Sequence, residues 1–155
     1  LVIGLLALAA IPSVVGIGTA VRAQEKENEK SKEKAKFYLS VRVWVENTGF
    51  EDASCVLANG KAKIYIDHHS EQVKGHQFNG YYFAYPSHEQ HLGLVSTIQE
   101  DPPILNWIYV NHYTGQICYG GRKDSLGHAT GPWGWSKNEE LLTIYGYEDA
   151  FLAVR

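Results

Sequence analysis

The chain has 155 residues, 45% hydrophobic and 20% charged, with a formal net charge of -3. That is one domain with additions, and no basic stripe marks it as a nucleic-acid binder. Two cysteines, Cys55 and Cys118, exclude a disulfide-stapled scaffold and leave either one disulfide or two small buried thiols.

Leu1 to Val21 carries no charge. A helix of that length spans about 31 Å, close to the ~30 Å hydrocarbon core of a bilayer. Pro12 and the glycines at 4, 16 and 18 would weaken a soluble helix but are tolerated in membrane helices. Residues 1–21 are therefore expected to form a transmembrane anchor in contact with membrane lipid. The competing reading is a signal segment cut after Ala23, which would make the domain secreted. For an anchor, Arg22 and the lysines after it favour a single-pass topology with the domain on the cytoplasmic side. Residues 22–36 hold six basic and four acidic residues and no large apolar one. This tract is expected to be a charged, solvated helical linker.

Residues 37–155 hold all 19 aromatic residues and, with eight basic and thirteen acidic side chains, a net charge of -5. Phe37 to Glu46 alternates apolar and polar, which predicts a half-buried strand. Asn47 to Asp52 is turn chemistry, and Asn59-Gly60 predicts a two-residue type I′ hairpin between Ser54–Ala58 and Lys61–Asp67. Further strands are expected at Gln77–Tyr85 (ended by Pro86), His91–Gln99, Leu105–Asn111 and Gln116–Tyr119. Gly120 to Ser136 reads as a glycine-rich loop, followed by short strands at Leu141–Tyr145 and Ala150–Val154. The last of these is expected to pair with sequence beyond Arg155. Many short strands without a helical period predict a mainly β domain, an antiparallel sandwich or barrel.

The tract Trp107-Ile-Tyr-Val, with Tyr113-Thr-Gly-Gln-Ile-Cys-Tyr-Gly-Gly-Arg122, Gly131-Pro-Trp-Gly-Trp-Ser136 and Phe151-Leu-Ala-Val154, resembles an uncharacterised family of fungal membrane-anchored β-domain proteins. The resemblance implies a tethered β-domain and supplies no activity.

The seven histidines suggest a metal site, densest at Asp67-His68-His69 and His88-Glu89-Gln90-His91. Neither has the His-Glu-x-x-His spacing that places two ligands on one helix face, and adjacent His68 and His69 diverge on a strand. Ser125 lacks a nucleophile elbow, Tyr119-Gly-Gly-Arg-Lys is no phosphate loop, and Cys118 with His112 or His128 has no supporting signature. No catalytic residue, cofactor or metal ligand is assigned on these grounds.

The sharper candidates are aromatic. Trp133 and Trp135, two apart around Gly134, share a face in an extended segment. With Trp107 and Tyr119 they form the candidate ligand-binding set, for a carbohydrate or protein partner, unless the tryptophans plug the core. The expected function is a membrane-tethered binding domain. The alternatives are a metal-dependent hydrolase using the histidine clusters and a secreted carbohydrate-binding module.

Overall fold

The computed structural model describes residues 2–8, 34–68 and 72–154. Eleven strands appear among them. In chain order they are β1 (Val2–Leu8), β2 (Phe37–Val45), β3 (Gly49–Ala58), β4 (Ile64–Asp67), β5 (Gly75–Gln77), β6 (Asn79–Ala84), β7 (Leu92–Glu100), β8 (Pro103–Val110), β9 (Ile117–Gly120), β10 (Trp133–Trp135) and β11 (Leu142–Ile144). A single helical turn, α1 (Arg122–Ser125), follows β9.

The main sheet runs β4-β3-β2-β6-β7-β8-β9, with β1 added to β2 and β5 to β3. All pairings are antiparallel. Its two ends meet. Lys63, just before β4, bridges Cys118 on β9, and the Tyr119 amide donates to the Ala62 carbonyl at 3.0 Å. The sheet is thus a nearly closed barrel, which leaves few strand edges open to other chains.

The alternation in β2 sets the inside. Phe37, Leu39 and Val41 are buried, while Tyr38 and Arg42 face solvent. Across the barrel, Cys55, Leu57, Phe78, Tyr82, Leu94 and Ile108 join the same core. The β10–β11 hairpin closes it. Its register sets Trp133 opposite Ile144 and Trp135 opposite Leu142, so all four project to the core side, and the Tyr82 hydroxyl donates to the Gly134 carbonyl at 2.8 Å.

Several expectations need correction. Val2–Leu8 is a strand paired with β2 from Trp44 to Tyr38, not the start of a transmembrane helix. Its run of β-branched and aliphatic residues suits a strand edge as well as a bilayer. Among the described residues no helix is long and apolar enough to cross a membrane. Residues 9–33, which hold the rest of the expected anchor and most of the linker, lie outside the described residues.

Phe50 to Asp52 are strand rather than turn, because the β2–β3 connection closes in three residues with Asn47 in the left-handed region (φ 77°). At Asn59-Gly60 only Gly60 is left-handed (φ 70°), and the Lys61 amide bonds the Ala58 carbonyl. That is a type II geometry in a wider loop, since type I′ needs both central residues left-handed.

The expected loop after Gly120 contains α1 and β10. Ala150–Val154 forms no strand. Phe151 instead stacks on Trp133, with centroids 5.7 Å apart and planes within 11°. Cys55 and Cys118 are buried free thiols, not a disulfide.

Candidate functional site

The four aromatic candidates do not converge. Trp133 is 2% exposed within the core. Trp135 is half-buried, edge-on to Phe37 at 4.6 Å and to Tyr82 at 5.5 Å. The face these two tryptophans share is therefore the inward one. Tyr119, on β9, is half-buried and its hydroxyl donates to the Ala58 carbonyl. Trp107 alone of the four belongs to an open surface, and it does so with partners the sequence reading did not single out.

On β6 the period of two sends Tyr82 inward and leaves Tyr81 and Phe83 on the outer face. The register carries that face across the sheet: Tyr81 lies opposite Val95, Val95 opposite Trp107, and Phe83 opposite Gly93. Gly93 is what lets the rings approach. A Cβ there would lie 2.6 Å from the Trp107 ring and 2.9 Å from the Phe83 carbonyl oxygen. The Phe83 ring, 52% exposed, stands 6.3 Å from Trp107 at 53° and 6.5 Å from Tyr81 at 86°. The rings are tilted, so the surface is a trough of about 140 Å³ rather than a flat platform. Leu105 and Asn106 complete its rim, and no charged side chain lines it.

The Trp107 ring also meets Tyr85 edge-on at 4.9 Å. Tyr85 begins a loop closed by its own amide on the His91 carbonyl (2.8 Å), and its ring stacks on His91 at 5.2 Å and 13°. Facing this loop is the segment after α1. Gly131 (φ 137°) permits the close packing, because a Cβ there would sit 2.4 Å from the Leu92 carbonyl oxygen. The two segments bound a second, larger cleft of about 320 Å³.

The histidines are dispersed in roles. His68 pairs with Glu51 at 2.8 Å, and His76 with Glu100 at 3.3 Å. His88, His91 and His128 line the larger cleft. His112 lies beside His128, and His69 lies outside the described residues. Among the described residues, no three His, Cys, Asp or Glu side chains are grouped so as to hold a metal. Burial pushes the Cys55 thiol up to about 12 and raises Cys118 as well, with Lys63 partly opposing the second shift. Neither is poised as a thiolate nucleophile.

A nearly closed antiparallel barrel capped by a hairpin, with an uncharged aromatic trough on its outer face, defines an all-β domain of binding type. Residues 16–155 match the model of the fungal beta-trefoil domain, and the chain belongs to that family. Domains of the β-trefoil class often mediate binding of carbohydrate or protein ligands. No curated protein and no solved structure matches the chain. The fungal β-domain resemblance carried by Trp107 and the tracts after it agrees with this family.

Proposed function

We propose that this β-trefoil is a non-catalytic binding domain that takes a saccharide in the Tyr81–Phe83–Trp107 trough. The observation that carries the reading is the exposed ring of Phe83, held beside Trp107 over the bare backbone of Gly93. Exposed aromatic rings in a built, uncharged depression are costly to leave in water, and their faces suit the C–H surfaces of a sugar ring. The trough's size fits one sugar unit rather than a folded partner.

A glycan array probed with the full chain, followed by calorimetric titration of the best binder, tests this. Phe83→Ala and Trp107→Ala should each weaken binding about tenfold or more, as central aromatic contacts do. Saccharide binding that survives both substitutions overturns the assignment. So does Phe83-dependent binding of a peptide by a chain that binds no glycan.

The uncharged run from Leu1 to Val21, followed by Arg22 and the lysines to Lys36, supports a second element of the proposal. It attaches the domain to membrane lipid, with the domain on the cytoplasmic side. Attachment through a helix requires Val2–Leu8 to leave the edge of β2. Protease protection in sealed microsomes decides it: a protected domain with a cut near Ala23 sinks the tether and makes the domain secreted.

A further inference from the structure

The larger cleft differs in chemistry from the trough. Its walls bring together three imidazoles that lie up to 40 positions apart in the chain, His88 and His91 from the β6–β7 loop and His128 from beyond α1. Each wall is fixed by its own hydrogen bonds. His91 Nε2 bonds Thr130 Oγ1 at 2.8 Å across the cleft floor. The Ser125 hydroxyl donates to the Arg122 carbonyl at 2.9 Å, which leaves the Tyr85 hydroxyl to donate to Ser125 Oγ at 2.7 Å. The Arg122 guanidinium sits over the Tyr85 ring, 5.1 Å from its centroid.

The groups that remain for a ligand are donors. His128 Nδ1 accepts the His112 backbone N–H at 3.2 Å, so His128 Nε2 carries the ring proton even in the neutral form. Its ring is held by stacking on Tyr109 at 5.1 Å and 9°. Ser87 Oγ is buried in the cleft wall and makes no hydrogen bond. A buried hydroxyl without a partner costs free energy that a bound acceptor would recover.

Glu89 is the one carboxylate in the cleft lining. On α1, Asp124 is committed to the Gly121 amide at 2.8 Å, while Arg122 and Lys123 add positive charge. On the far side of His128 stand His112, Tyr109 and Tyr113. Arg122 and Lys123 thus outnumber Glu89 beside the cleft, although the domain as a whole is acidic.

We infer that this cleft binds a small oxyanion, a carboxylate or phosphate group, held by His128 Nε2 and the Ser87 hydroxyl. It is a site separate from the saccharide trough.

The test is a titration of the full chain, reading the imidazole Hε1–Cε1 resonances, with sodium glucuronate, inorganic phosphate and neutral glucose as separate probes. One or both anions should move the His91 and His128 resonances. The tighter of the two anions identifies the group as carboxylate or phosphate. Ser87→Ala and His128→Gln should each weaken anion binding several-fold, and Phe83→Ala, which touches no residue of the cleft lining, should leave it unchanged. Ser87→Ala is a small change in a loop and serves if His128→Gln fails to fold. The inference fails if glucose moves the same resonances as strongly, or if all assigned histidines shift alike. Loss of saccharide binding with anion binding retained would refute the trough and not the cleft.

Discussion

Replacing Trp133 with alanine should cost the domain about 3–5 kcal/mol, and replacing it with phenylalanine almost nothing. The indole is 2% exposed and stacks on Phe151. Truncation to Cβ removes both ring systems' worth of contact and leaves a cavity under the β10–β11 hairpin. At about 4 °C per kcal/mol for a domain of this size, the midpoint of Trp133→Ala should fall by roughly 12–20 °C. The same indole carries a buried N–H that makes no hydrogen bond. An orphaned donor of this kind costs about 1–3 kcal/mol. Trp133→Phe loses packing on the order of 1–2 kcal/mol but also removes that donor. The two effects offset, so the variant should unfold within about 1 kcal/mol of the parent. Urea and thermal unfolding followed by far-ultraviolet circular dichroism measure both without relying on the substituted fluorophore. A loss of about 2 kcal/mol or more in Trp133→Phe would mean that the N–H is not a liability. A loss under about 1 kcal/mol in Trp133→Ala would sink the placement of Trp133 in the core.

Gly93→Ala should destabilise by about 1–3 kcal/mol, because its Cβ would overlap the Trp107 ring and the Phe83 carbonyl. It should abolish saccharide binding as well, and thermal melts paired with titration would show whether the two losses separate. High pH should unfold the domain through its buried acids. Burial raises Cys55 from 9.0 to about 12 and raises Tyr82 as well, so both are neutral in the fold and ionise more readily when unfolded. Their contribution is complete below about pH 9 and is lost as pH climbs toward 12, on the order of 4 kcal/mol for Cys55. Cys55→Ala should flatten that alkaline fall in urea midpoint. An unchanged slope would show that other groups govern it.

Strand identity was largely legible because it depends on local alternation. Phe37–Val45, Leu92–Glu100 and Ile117–Gly120 fall where the period of two placed them. Elements that depend on a distant partner were not legible. Phe50–Asp52 extends as strand only because β2 is present to pair with it. Ala150–Val154 has strand composition and no partner, so its aromatic packs on Trp133 instead. The histidine cleft was hidden for the same reason. His88, His91 and His128 were each visible, but only the fold of β7 through β9 returns residue 128 to the loop before β7.

The aromatic residues show why the saccharide candidate was found only in part. Trp133 and Trp135 had the clearest spacing, yet spacing states only that two side chains share a face, not which face is wet. Inside and outside are decided by what lies across the strand. Opposite Trp133 and Trp135 stand Ile144 and Leu142, both buried, and the four close the core together. Opposite Phe83 stands Gly93, which has no side chain to cover a ring. A strand of alternating aromatics facing a glycine on its neighbour therefore marks an open aromatic surface, whereas one facing aliphatic residues marks a core. In this chain the signal lay in Tyr81-Tyr82-Phe83 read together with Gly93. It could be used only once the antiparallel register of β6 and β7 was known, because a shift of one residue would exchange Tyr82 for its two neighbours and turn the trough inside out.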